Sequence, residues 1–338
     1  MSHRPPTDLD EQRNRERLVA HRGLATWGER LVPLADFAAA AARAGRALAP
    51  AERDAAAAAL LAPRADATPV EGPFRRIAVF GGVYSSAEAL SAVLAAAAAH
   101  GAEAVYCLGD LGGFGPLPER CWAPLVAGGV RCVQGNYEQS LAGGAEDCNC
   151  GYTDPRDNHF ARLSYQYTAA HCSPEFRRWM GELPARRRVR VGGAELLLVH
   201  GSPRQVNEFL FASTTPASFL ERLCERERCD GFLCTHTGLP WVRPLPSAKA
   251  RRGRIVANVG VIGRPANDGD RRVRWALVSE GETVPAVEVL PLAYDHDALA
   301  AEMRRERLPA EFVETVLSGW WTTCLEVLPA RERQVSRY

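Results

Sequence analysis

The 338-residue sequence has one lysine, Lys249, so 40 of its 41 basic residues are arginine. With the alanine runs, this skew marks a compositional bias. An isolated arginine therefore says little about phosphate binding, although arginine suits bidentate contacts. Excess charge is also missing: 41 Lys+Arg against 40 Asp+Glu leaves +1. That removes the electrostatic footprint expected of a nucleic-acid or membrane-surface binder. No apolar run reaches the ~18 residues of a membrane span; Ala55–Ala62 and Leu94–Ala99 are short and mostly alanine. Met1 is followed by Ser-His-Arg-Pro-Pro and charged residues, unlike a secretory signal. Internal repeats are absent. Hydrophobic content of 46% with 24% charged residues excludes wholesale disorder. The ten cysteines, in a chain long enough to build a core, are expected as reduced thiols of a cytoplasmic protein. Cys107, Cys132 and Cys234 sit in apolar runs and read as core.

Residues 1–72 read as a helical N-terminal extension, with helices at Glu16–Val32, Leu34–Leu48 and Pro50–Leu61 and a linker at Pro63–Pro73. From Arg76 the texture changes. Ile77–Phe80, Val105–Leu108 and Val130–Val133 read as buried strands. Between them, Ser85-Ser-Ala-Glu88 resembles a capping box opening a helix, and a second helix covers about Pro118–Ala127. This β-α-β-α-β order implies a parallel sheet. The polar stretch Gly143–His159 lacks periodicity and reads as part of an insertion over about 143–180. A short helix at Glu175–Met180 follows. Strands are then expected at Glu195–Val199, Phe232–Cys234, Arg254–Val259, Val273–Val278 and Val284–Val289. Residues 293–338 read as a C-terminal helical tail, with Leu299–Leu317 broken at Pro309. Its Trp320-Trp321 pair is expected to anchor the tail by packing.

In open α/β sheets, sites form beyond the carboxyl ends of the strands. Asp110, Asn136, His200 and His236 all sit at or just after such ends. Each offers an oxygen or nitrogen to a metal. Alone, each is an ordinary cap, turn or structural residue; together they point to a shared site.

These residues stand in Gly109-Asp-Leu-Gly-Gly-Phe-Gly-Pro116, Gly135-Asn136, Val199-His-Gly-Ser-Pro-Arg204 and Thr235-His-Thr-Gly-Leu-Pro240. Asn258-Val-Gly-Val-Ile-Gly-Arg-Pro265 follows. In this order the blocks resemble those of the calcineurin-like metallophosphoesterases, and most closely the small bacterial phosphodiesterase branch. The resemblance spans Arg76–Ser279. It implies an α/β fold: a four-layer α/β/β/α sandwich over residues 73–292, with two mixed β-sheets flanked by helices. It also implies two metals about 3–4 Å apart that act on a phosphoester through a bridging hydroxide.

The sequence departs from the family at one metal. Gly82 stands for the family's first Asp, Tyr84 for its first His, and Gly238 for the second His of the late block. Asp110, Asn136, His200 and His236, the other metal's set, are intact. One divalent ion (Mn, Fe, Zn or Ni) is therefore expected. A second is expected only if the insertion supplies ligands from Asp147, Cys148, Cys150, Asp154, Asp157 or His159. Tyr137 replaces the family's assisting His, and Glu138 keeps a carboxylate after it. Asp110 and Tyr137 are the catalytic candidates, and Arg204 and Tyr84 the substrate-binding ones. The expected function is metal-dependent hydrolysis of a small, anionic, phosphorylated substrate on a reduced or rebuilt centre. The alternatives are a non-hydrolytic anion-binding module and an iron enzyme with different chemistry.

Overall fold

The computed structural model describes residues 24–27, 30–33, 67–245 and 253–336. The chain divides into two compact units, 1–65 with 225–228 and 66–224 with 229–338. In the first unit, β1 (Leu24–Trp27) and β2 (Arg30–Pro33) pair antiparallel. This corrects the helix expected over Glu16–Val32 where the two overlap. Thr26, Trp27 and Val32 favour strands, and Gly28 disfavours a helix interior. The remaining helices expected before Pro63 lie outside the described residues, as does Lys249.

The second unit is built on two mixed sheets. The strands are β3 (Val70–Phe74), β4 (Arg76–Phe80), β5 (Ala104–Cys107), β6 (Arg131–Cys132), β7 (Arg187–Val191) and β8 (Ala194–Leu198). They continue with β9 (Gly231–Cys234), β10 (Trp241–Leu245), β11 (Arg254–Asn258), β12 (Val273–Ser279) and β13 (Ala286–Leu292). One sheet runs β13-β12-β4-β5-β6, the other β10-β11-β9-β8-β7-β3. Strands β4, β5 and β6 are parallel, as the β-α-β-α-β reading requires.

Period-two alternation assigns the faces. Ile77, Val79, Tyr106 and Leu108 point inward with Val189, Leu196, Leu198, Leu233 and Ala257 of the other sheet, forming the inter-sheet core. Their alternates, Ala78, Phe80 and Cys107, meet α1 (Ala87–Ala99) through Leu90, Val93 and Ala97. Ser86, one residue later than the capping box suggested, caps α1 by accepting from the Ala89 amide at 3.2 Å. On the other sheet, α6 (Ala217–Glu227) makes the crossover from β8 to its parallel neighbour β9. The outward alternates Leu197 and Phe232 are fully buried. Cys107, Cys132 and Cys234 are buried as expected, and the short helices α2 (Trp122–Ala127) and α5 (Pro174–Glu182) overlap the segments expected to be helical.

Several segments differ from the sequence reading. The supposed linker contains β3, which pairs with β7; it lies at the sheet edge, where Pro73 is tolerated. The polar insertion contains α4 (Pro155–Ala170), started by Pro155 and capped by Asp154, whose carboxylate accepts from the Arg156 and Asp157 amides. Its buried positions Phe160, Ala161, Ser164, Tyr165 and Thr168 have helical spacing, but polar residues among them obscure the stripe. Cys148 and Cys150 form a disulfide, which corrects the expectation of reduced thiols for this pair; the other eight cysteines are free and buried.

After β13, α7 (His296–Arg305) and α8 (Ala310–Ser318) flank Pro309. Leu299, Met303, Phe312 and Val316 pack against Phe114 and Phe160. No helix among the described residues is long and apolar enough to cross a membrane.

Candidate metal centre and adjoining cleft

The strands end where the chemistry begins. Beyond β5 the chain turns at Gly109 (φ 90°), and Asp110 takes a left-handed conformation (φ 58°). Beyond β6 it reaches Gly135. These two turns touch: a Cβ on Gly109 would lie 2.3 Å from the Gly135 nitrogen. One on Gly135 would lie 2.4 Å from Asp110 Oδ1 and 2.9 Å from His200 Nδ1. Only glycine fits at either place.

Glu138, in the first turn of α3 (Asn136–Gly143), fastens the two turns together. Its carboxylate accepts from the Gly135 amide at 2.7 Å and from the Asp110 and Leu111 amides at 2.8 Å each. Burial and the Asp110 charge push the Glu138 pKa up to about 7, against the pull of these amides.

Asp110, His200 and His236 converge, all buried, with their ligand atoms within 4.8 Å of one another. The hydrogen bonds around them assign the imidazole tautomers. His200 donates Nδ1–H to the Leu108 carbonyl at 2.7 Å, so its neutral form leaves Nε2 bare. His236 donates Nε2–H to the Cys150 carbonyl at 3.2 Å, leaving Nδ1 bare. The two bare nitrogens face each other at 3.0 Å, and His200 Nε2 lies 3.3 Å from Asp110 Oδ2. Lone pairs held this close repel unless a proton or cation lies among them. The spacing suits neighbouring ligands of one cation about 2.1 Å from each.

Asn136 stands on the adjoining turn, between Gly135 and Tyr137, whose backbones both meet Asp110. Its amide donates to the Cys148 carbonyl at 2.8 Å, while its buried Oδ1 has no partner. A buried amide oxygen left over in this way suits a metal ligand. The residues therefore fit one cation.

The titration behaviour follows from the packing. Burial alone would raise the Asp110 carboxyl, but the charge and hydrogen bond of His200 hold it below the usual carboxylate range. Burial alone would lower His200, and Asp110 outweighs it, so His200 is raised. Burial and the neighbouring His200 push His236 down to about 3, which keeps it neutral and ready to ligate.

Asp110 and His236 line a small cleft together with Tyr84, Tyr137 and Arg264. Its apolar walls include Phe114, Phe160 and Phe312. Tyr137 donates its backbone amide to Asp110 Oδ1 at 3.2 Å, and its hydroxyl lies 2.9 Å from Ser164 Oγ. Burial raises both Tyr84 and Tyr137 far above the usual phenol range, so both stay protonated.

Of the candidate site residues, Asp110, Tyr137, His200, His236 and Tyr84 are brought together here, with Asn136 on the adjoining turn. Arg204 is not: its guanidinium pairs with Glu208 and lies over the Phe219 ring. Among the described residues, no carboxylate or imidazole of the 146–159 stretch joins the metal group. Asp154 caps α4, and Asp157 accepts from the Val327 amide at 3.2 Å. The stretch contributes two carbonyls instead, those of Cys148 and Cys150, which orient Asn136 and His236.

Sequence reasoning missed Arg264, Thr323 and Cys324, all lining the cleft. Arg264 stood inside a recognised block, and an unmatched arginine there was the available signal. Nothing local marked Thr323 or Cys324, which arrive with the tail. Trp321 is buried, donating its indole N–H to the Pro265 carbonyl at 2.6 Å. The tail is thus anchored through Trp321, as expected from its packing role.

A two-sheet α/β sandwich with a carboxylate, an amide and two imidazoles at its strand ends has the architecture and donors of a metal-dependent phosphoesterase. Residues 76–280 match the calcineurin-like phosphoesterase superfamily domain, and the chain belongs to that superfamily. An uncharacterised protein of Methanocaldococcus jannaschii is 22% identical over 254 residues, covering 72% of this chain and 98% of that protein. Among solved structures, a metallophosphoesterase from Sphaerobacter thermophilus is 24% identical with a TM-score of 0.56, covering 72% of this chain and 98% of that one. A hypothetical protein from Pyrococcus horikoshii is 22% identical with a TM-score of 0.60, covering 73% and 99%. These two likenesses concern the fold.

Proposed function

We propose that this protein hydrolyses a small phosphoester at a reduced, single-metal centre held by Asp110, Asn136, His200 and His236. The observation that carries the reading is the pair of imidazole nitrogens facing each other 3.0 Å apart beside Asp110, with an unpartnered, buried Asn136 oxygen on the adjoining turn. One carboxylate, one amide oxygen and two imidazoles form a mixed donor set suited to Mn, Fe, Zn or Ni. A bound divalent ion supplies a Lewis acid for a phosphoryl oxygen and acidifies water.

The chain's own groups do the rest. Leu108 and Cys150 fix the imidazole tautomers through their carbonyls. Tyr137, held protonated by burial, acts toward an oxygen of the ester as a hydrogen-bond donor and not as a base. Phe114, Phe160 and Phe312 exclude water from one side of the cleft and suit an apolar leaving group. With one metal the clamp on both attacking and leaving oxygens is lost, so turnover is expected to be slow beside two-metal relatives.

The test is hydrolysis of p-nitrophenyl phosphate and bis-p-nitrophenyl phosphate by protein stripped of metal and reloaded with each candidate ion. Turnover that disappears in Asp110→Asn and His200→Ala supports the reading. Metal-loaded protein that is inert toward phosphomonoesters and phosphodiesters overturns it, and leaves the anion-binding module as the reading to pursue.

A further inference from the structure

The second metal's ligands are substituted, and at the first of them the room is also filled. Gly82 has φ 48°, and a Cβ there would lie 2.4 Å from Val261 Cγ1 and 2.9 Å from Tyr84 Cζ. At Gly238 a Cβ would meet Val261 Cγ2 and Trp321 Cζ2 only at ordinary contact distances of 3.4 and 3.5 Å, but glycine there offers no ligand atom. Val261 and Tyr84 thus occupy the space into which a ligand at position 82 would project. A second cation does not fit the residues present.

A different positive charge faces the same cleft. Arg264 is only 8% exposed and lines the cleft with Asp110 and His236. Its guanidinium lies on the Trp321 ring, 3.4 Å from the centroid, and 5.6 Å from that of Phe114. Trp321 is itself fixed, its backbone amide donating to Asn267 Oδ1 at 2.8 Å and its indole to the Pro265 carbonyl. Among the described residues the arginine is therefore held in orientation by packing and not by a counter-ion. Its buried Nε has no partner. By contrast, buried Arg204 pairs with Glu208, and Arg274 with Asp268 and Asp270.

Burying a guanidinium without a carboxylate is costly. Stacking on an indole recovers part of that cost, and an anion in the cleft would supply the remainder. Thr323, also on the cleft wall, has a buried Oγ with no partner. Two unpartnered polar groups lining the same cleft as Asp110 and His236 are chemically suited to an oxyanion. A planar guanidinium has the fork geometry that phosphate oxygens accept.

We propose that Arg264 stands in for the missing second cation, binding the non-bridging oxygens of a phosphoryl group together with Thr323 Oγ. This deepens the phosphoesterase reading and rests on it for the identity of the anion. The division of labour differs from a two-metal clamp: one Lewis acid is exchangeable and one positive charge is built into the chain. The guanidinium cannot acidify water as a metal does. Its part is to bind and orient the phosphoryl group and to offset charge that develops on it.

The experiment measures inorganic phosphate binding by calorimetry to wild type, Arg264→Gln and Arg264→Lys, each stripped of metal and then reloaded. Elemental analysis accompanies each sample. Support is saturable phosphate binding by wild type, weakened at least tenfold in Arg264→Gln and less in Arg264→Lys, with metal content unchanged. Equal phosphate affinity in wild type and Arg264→Gln overturns the proposal, as does no saturable binding by wild type or uptake of a second metal equivalent by wild type.

If Arg264→Gln loses its near-ultraviolet circular dichroism, wild type alone decides. Protection of Arg264 by phosphate against phenylglyoxal, read by peptide mass, supports the proposal, and unchanged modification overturns it. The two readings fail separately. Hydrolysis without dependence of phosphate affinity on Arg264 sinks this proposal alone. Arg264-dependent phosphate binding by protein that hydrolyses no phosphoester sinks the enzymatic reading alone.

Discussion

Glu138 offers a stringent test of how the site is assembled. Its two oxygens take three buried amide hydrogens: Oε2 those of Asp110 and Gly135, Oε1 that of Leu111. In Glu138→Gln one oxygen becomes an NH2 group, so a donor confronts a donor whichever way the amide turns. With the carboxamide oxygen at the Oε2 position, two bonds survive and the Leu111 amide loses its acceptor. A buried amide left unsatisfied costs ~1–3 kcal/mol, and two charge-assisted bonds weaken to neutral ones. The sum is about 3 kcal/mol. For a unit of this size, that corresponds to a fall in Tm of about 6–12 °C.

The same carboxylate sets the spacing of Asp110 and Asn136, so metal affinity is expected to fall about 10- to 100-fold. Bound metal has a further effect. A cation beside Asp110 offsets the repulsion that pushes the Glu138 pKa up to about 7, and so favours the ionised clamp. The Tm deficit of Glu138→Gln should therefore be larger with metal than without. Thermal unfolding by circular dichroism, with and without saturating metal, measures this. An unchanged Tm, or a deficit that shrinks on metal addition, would refute the clamp.

Further outcomes follow from the same contacts. Trp321→Ala removes a buried indole that carries the Arg264 stack, with an expected cost of ~3–5 kcal/mol and weaker phosphate binding; equilibrium denaturation with calorimetry checks both, and intact phosphate affinity in a folded variant would break the link to Arg264. Glu71 accepts from Arg187 at 2.7 Å, Arg131 at 2.8 Å and the Tyr106 hydroxyl at 3.0 Å. Burial alone would raise its pKa, but these partners hold it below the ordinary 4.5. Because the folded value is the lower one, the stabilisation is present above about pH 4.5 and is lost as pH falls below it. Glu71→Gln should cost about 1 kcal/mol near neutrality after solvent screening, with the gap to wild type closing as pH falls below 4.5; a gap that widens in acid would contradict the assignment.

The legible parts of the sequence were those whose physics is local. Short apolar runs such as Ile77–Phe80 fill both faces of a covered sheet and announce themselves. The glycines beside Asp110 and Asn136 mark turns too crowded for a Cβ. The strand β3 was hidden because an edge strand needs less apolar character, and Glu71 and Pro73 broke its pattern. Helix α4 was hidden because its buried face carries Ser164 and Thr168, which serve the Phe114 and Gly113 amides. Glu138 was noted only as a carboxylate; its three amides come from two loops that meet only in the fold. Arg264 required knowing that Trp321, 57 positions later in the chain, lies beneath it.

The count of bound metal per chain bears most directly on the central claim. Protein stripped with chelator, dialysed against excess Mn²⁺ or Zn²⁺ and freed of loose ions should retain one equivalent by elemental analysis. Asp110→Asn and His200→Ala should retain none. Two equivalents in wild type, or one equivalent that survives both substitutions, would contradict a single centre built on these side chains.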